Sequence, residues 1–262
     1  MKIARLYKPS WLSRRLNAPW SFRQGLAVLL VFTLSFMALS WGHMVWIRET
    51  IGFDAYLGDG PRMPPALLIT NQIIKSVTLL AAVWLIALKL RGQSWSAVGF
   101  RRCGIGWIIA AGLLAVIGSI ANLILAKLMI ALIPDWSVFT ASRFAIGDGS
   151  GLQMAVLIGL TILITPIAEE IFFRGFLFQW MATYRPIWLA VLASSVMFGV
   201  SHIIPPQIIV ASLMSLLILY LFVKSRSIWP CIVCHITNNA LGVGFGMAAV
   251  SGYLPTWLTP PV

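Results

Sequence analysis

Leu152–Tyr184 reads LQMAVLIGLTILITPIAEEIFFRGFLFQWMATY. The stretch is half as long again as the roughly 20 apolar residues that cross a hydrocarbon core. Its only charged residues are Glu169, Glu170 and Arg174. Six further apolar stretches flank it: Gly25–Trp46, Ala66–Leu88, Ile105–Ile133, Ile187–Ile203, Gln207–Val223 and Ile228–Val250. Pro166 can kink or divide the long one, because proline lacks the N–H that the preceding turn needs. The expectation is an all-α, polytopic transmembrane bundle of about seven to eight spans. Composition agrees: 60% of the 262 residues are hydrophobic and only 10% charged, and mean hydropathy is +0.91. A soluble domain is about 45–50% apolar and about 25% charged. Disorder, a secreted disulfide scaffold and a nucleic-acid-binding domain are thereby excluded.

The net charge of +12 follows from where the charges sit. Met1–Gln24 carries Lys2, Arg5, Lys8, Arg14, Arg15 and Arg23 without an acid. The loop with Lys89, Arg91, Arg101 and Arg102 and the turn with Lys224 and Arg226 also lack acids. Glu49, Asp54, Asp59, Asp135 and Asp148 lie in the alternate loops. The positive-inside rule then places the N-terminus in the cytoplasm of a bacterial-type plasma membrane. Seven spans would put the C-terminus outside. The first apolar stretch is longer than a signal-peptide core and no small-x-small site follows it closely, so it reads as a retained anchor. The expected organisation is a basic segment at 1–24, membrane helices at 25–150, a further helical core at 151–250 and a proline-rich tail at 251–262.

Two acids remain outside the loops, Glu169 and Glu170. Glu170 and Arg174 are four residues apart with the acid first, the favourable same-face orientation. Glu169 points about 100° away and has no such local partner. An unpaired carboxylate at membrane depth is costly and marks a functional site by default. Depth arithmetic finds it company. Glu169 lies sixteen residues before Arg185 and His202 seventeen after it, so two antiparallel helices leaving that turn carry both to one level. His235 follows the Lys224–Ser227 turn by about ten residues, and Asn239 shares its face. One carboxylate, two imidazoles and one carboxamide can converge.

Three motifs carry a resemblance. Glu169–Arg174 reads EExxxR, Phe198–His202 reads FxxxH and His235–Asn239 reads HxxxN. In this order and spacing they resemble the CPBP (CAAX protease and bacteriocin-processing, also Abi) family of intramembrane proteases. Ser94–Arg101, with Val98 where many members have Leu, is similar to a short segment of that family. The resemblance implies hydrolysis of a peptide bond in a membrane-embedded or lipidated substrate. It implies Glu169 as the base activating water, His202 holding that water, His235 and Asn239 stabilising the oxyanion, and Glu170, Arg174 and Phe198 in support. It leaves open a metal-free glutamate mechanism and a Zn-dependent one with Glu169, His202 and His235 as ligands. The HExxH zinc pattern is absent. Membrane lipid and a hydrophobic peptide substrate are the implied partners.

Other patterns carry less. Cys231–His235 reads CxxCH, the haem-attachment pattern, but it sits inside an apolar helix near the cytoplasmic side. His43 reads as interfacial beside Trp41 and Trp46. Asn71, Gln72 and Lys75 in the second span and Asn122 and Lys127 in the third can line a substrate cavity, but read first as interhelical hydrogen-bond formers or snorkelling groups. Two non-protease readings compete: a non-catalytic bacteriocin-immunity or scaffold protein of the same family, and a proton-coupled transporter.

Overall fold

A computed structural model describes residues 14–52, 64–136, 150–202 and 204–254. Lys2, Arg5, Lys8, Asp54, Asp59, Arg143, Asp148, Ile203 and the tail Pro255–Val262 lie outside the described residues. The described chain is built from helices: α1 (Phe22–Thr50), α2 (Pro65–Arg91), α3 (Ile105–Leu132), α4 (Gly151–Tyr184), α5 (Ile187–Val200), α6 (Pro205–Ser225) and α7 (Trp229–Val250). All but α5 are long and apolar enough to cross a membrane. With 14 residues α5 rises about 21 Å, short of the roughly 30 Å of a hydrocarbon core. The fifth apolar stretch is therefore a shorter element than expected. It stops at the Ser201–His202 turn, just before Pro205 and Pro206 open α6.

Local sequence sets the helix starts. Both α1 and α4 open on a capping box of the Ser-x-x-Gln type. Ser21 and Ser150 each accept from the N–H three residues on, at 3.3 Å, and the Gln side chain returns the bond at 2.8 and 2.9 Å.

Pro166 does not divide α4, which runs unbroken, so the quoted stretch hides no eighth span. The helix absorbs the proline by widening into a π turn over Leu160–Ile164. In that register the Thr161 carbonyl would look to the N–H of residue 166, which proline lacks. The side chain of Asn239 fills the place, donating from Nδ2 to Thr161 O at 2.9 Å. A second π segment follows the two glutamates, over Ile171–Phe178, and is buried throughout. It packs Phe172 against Phe173 and Phe176, with centroids 5.1 and 6.1 Å apart.

Two extramembrane segments clamp the far end of α4. Trp20 is buried against Phe176 and donates from Nε1 to Ala87 O at 2.9 Å, and Leu16 N donates to Ala182 O at 2.8 Å. The Ser94–Arg101 loop lies on the other side. Gln179 Nε2 donates to Ala97 O at 3.0 Å and also to Gly175 O. Gly99, at φ 96°, adopts a left-handed turn and accepts from Ile228 N at 2.8 Å, tying the loop to the start of α7.

The seam between α2 and α4 matters most for the site. Gln72 Nε2 donates to Thr161 Oγ1 at 2.9 Å, and Thr165 Oγ1 donates to Gln72 Oε1 at 3.0 Å. Ser76 and Thr165 hydroxyls meet at 3.4 Å. Thr161, Thr165 and Glu169 stand one turn apart on one face of α4. The hydroxyl ladder fixes the register that decides what Glu169 meets.

Candidate active site

Glu169 is 3% exposed and Glu170 fully buried. The two acids have separate partners. Glu170 Oε1 accepts from Arg174 Nη1 at 2.9 Å, as the i,i+4 spacing predicts, and faces His235 Nδ1 at 2.7 Å. Arg174, also fully buried, donates its Nη2 to Ser215 Oγ at 2.8 Å and lays its guanidinium over the Phe198 ring at 4.3 Å. A planar fork that serves two acceptors while stacking on an aromatic face is a task for arginine, not lysine.

Glu169 is not without a counter-ion. Lys75, on α2, places Nζ 2.5 Å from Glu169 Oε1. Same-helix spacing does not reveal this partner, and the sequence pattern alone gives Lys75 a hydrogen-bonding, snorkelling or cavity-lining role. The signal that finds it is the depth arithmetic already applied to His202. Lys75 stands sixteen residues before Arg91, as Glu169 stands sixteen before Arg185. The other oxygen, Oε2, lies 3.6 Å from His235 Nε2.

The histidines have one ring nitrogen engaged each. His235 Nδ1 faces a carboxylate that only accepts, so Nδ1 carries the proton and, in the neutral ring, Nε2 is left as an acceptor towards Glu169. His202 Nδ1 donates to Phe198 O at 3.0 Å, and its Nε2 has no hydrogen-bond partner among the described residues. Phe198 sits between both rings, with centroids 5.0 Å from His202 and 5.6 Å from His235. Both rings line a cavity of about 60 Å³ together with Asn122, Gln207, Asn238 and Asn239. That is room for water, with several polar partners for it. Asn239 Oδ1 accepts from Asn238 Nδ2 at 3.4 Å, and Ser119 supports Asn238 at 3.0 Å. Glu169, Glu170, Arg174, Phe198, His202, His235 and Asn239 are thus drawn into one region. Lys75 and Asn122 join them from α2 and α3.

Among the described residues no three His, Cys, Asp or Glu side chains stand together as a metal site. Glu169, His202 and His235 do not form such a ligand set here: one oxygen of Glu169 is engaged by an ammonium, whose charge would also repel a second cation. With that oxygen held by Lys75, the residues present do not fit zinc. Cys231 and Cys234 are buried free thiols one turn apart in the packed start of α7.

A glycine sets the position of α5. A methyl group at Gly199 would collide with Ser212 Oγ and the Ile208 carbonyl on α6. Gly199→Ala is expected to part α5 from α6, costing about 1–3 kcal/mol. Its neighbours Phe198 and His202 would move with it. Unfolding in mixed micelles checks the first effect. A wild-type midpoint would show that the contact yields at no cost.

Fold and site define a multi-pass membrane protein with a buried carboxylate–imidazole centre. Residues 151–241 match the model of the family described as "Type II CAAX prenyl endopeptidase Rce1-like". Over 124 residues the chain is 27% identical to a Bacillus subtilis (strain 168) protein named "Putative membrane peptidase YdiL". That alignment covers 46% of this chain and 51% of the relative, so the chain spans about half the length of the curated relative it matches. No solved structure matches. By these two matches the chain is similar, over residues 151–241, to a family of membrane endopeptidases and, over 124 residues, to a protein named as a membrane peptidase, in agreement with the resemblance its motifs carry. Lys75 and Asn122 lie outside the matched segment.

Proposed function

We propose that the chain is an intramembrane endopeptidase of the glutamate type, acting on a peptide bond in a hydrophobic or lipidated membrane segment. One observation carries this reading. Glu169 has one oxygen held by Lys75 and the other 3.6 Å from Nε2 of His235, a residue that lines a water-sized cavity. Two acceptors at that separation call for a donor between them, and water is the donor that fits. The water gives one proton to Glu169 as its oxygen attacks the substrate carbonyl carbon. The C–N bond then breaks, and the proton passes from Glu169 to the leaving amine. His202, through its Nε2, helps to hold the water. Asn239 has spent one amide N–H on Thr161 and keeps the second for the developing oxyanion, while His235, its Nδ1–H given to Glu170, uses Nε2 to accept from the water. Donors fixed in advance at the place where charge develops are worth about 3–4 kcal/mol each.

The charge pattern supports a plasma membrane of bacterial type, with the Arg- and Lys-rich ends on the cytoplasmic side. The test compares peptide termini in membranes from cells producing the wild type and Glu169→Gln. A terminus that depends on the wild type alone identifies substrate and activity together. Identical sets of termini would overturn the reading.

A further inference from the structure

The catalytic reading draws on residues of α4, α5 and α7 that all fall within the matched segment 151–241. Lys75 comes from α2, outside it, yet makes the shortest polar contact of Glu169, 2.5 Å to Oε1. Among the described residues it is the only Lys or Arg in ion-pair reach of that carboxylate, because Arg174 is taken up by Glu170 and Ser215. Its placement is built rather than incidental. Gln72 and Ser76, one turn or less to either side, bind Thr161 and Thr165 on α4. These bonds lock the parallel register of α2 on α4 and so deliver the ammonium to Glu169.

We propose that Lys75 is a positioning residue for the peptide hydrolysis: its ammonium holds Oε1 so that Oε2 is presented to water and His235. A carboxylate alone can turn about its terminal torsion, which is broad. Held at one oxygen, it offers the other in a fixed direction. The clamp also keeps Glu169 supplied with a cation in a setting where an unpaired acid is costly. The inference rests on Glu169 being the base, and the test separates the two.

Full-length wild type, Glu169→Gln, Lys75→Met, Lys75→Arg and Lys75→Cys are produced in cells, and the termini that depend on the wild type are quantified in their membranes. Lys75→Met is expected to lose between about tenfold and 10²-fold of that signal, the scale of a misplaced reacting group. Lys75→Arg keeps the charge and recovers part of it. Membranes holding Lys75→Cys are then treated with 2-bromoethylamine, which converts the thiol into a close mimic of lysine. Regained cleavage in those same membranes, with no gain in treated wild type or Lys75→Met, supports positioning. Cysteine is modified after the chain has folded, so a role in folding alone would not be recovered. If Lys75→Met does not accumulate, the Lys75→Cys membranes before and after treatment decide. Full cleavage by Lys75→Met beside a silent Glu169→Gln overturns this inference and leaves the protease reading standing. So does a modified Lys75→Cys, verified by mass spectrometry, that stays inactive. Full cleavage by Glu169→Gln overturns both.

Discussion

Glu169→Gln is expected to insert and fold and to cleave about 10³-fold more slowly or worse. General-base catalysis contributes roughly 10²–10⁴-fold, and the amide cannot take a proton from water. A 10³-fold loss corresponds to about 4 kcal/mol of transition-state stabilisation. The fold should survive because glutamine keeps both contacts. Its Oε1 still accepts from Lys75, and its Nε2 can donate towards His235 Nε2 across what is now a 3.6 Å separation. The stability cost is that of exchanging a charged hydrogen bond for a neutral one, about 1–2 kcal/mol. Unfolding in mixed micelles and quantified termini, measured on the same preparation, separate the two effects. Retained cleavage would favour another base, and retained function without any cleavage would favour an immunity or scaffold role.

Much of this was legible in the sequence, for reasons that differ by residue. Ala66–Leu88 became Pro65–Arg91, and Gln207–Val223 became Pro205–Ser225, because hydropathy and flanking prolines mark both ends. Ile187–Ile203 read as a span because apolar runs show no depth; its shortness comes from the turn before Pro205. Glu170 with Arg174 was readable as a local i,i+4 pair, but the shared hold of His235 on Glu170 was not. No single-helix argument reveals that a neighbouring helix supplies the other half of a hydrogen bond. Lys75 escaped for the same reason, although equal depth on parallel helices was available to show it. The link from Asn239 to Thr161 lay furthest from view. It depends on α4 answering Pro166 with a π turn rather than a kink, a choice settled by packing.

The same buried network predicts the largest loss of stability. Arg174→Met is expected to lower unfolding stability in mixed micelles by about 3–5 kcal/mol, the cost of leaving one partner of a buried ion pair behind. The methionine can fill much of the volume, so the loss comes from charge rather than cavity. Glu170 would keep only His235 on Oε1, while its Oε2 has no hydrogen-bond partner among the described residues. Ser215 would lose its donor and Phe198 the guanidinium at 4.3 Å. Because Phe198 separates His202 from His235, cleavage should fall as well. Lys in place of Arg174 should rescue little, since one ammonium cannot reach Glu170 and Ser215 while stacking on the ring. The deciding variant is the double change Glu170→Gln with Arg174→Met. Removing the acid takes away the uncompensated charge, so the double variant should be more stable than Arg174→Met alone. If the two losses simply add, the pair is not energetically coupled. Arg174 would then owe its burial to packing, and the separation of the two glutamates into a paired acid and a working base would lose its support.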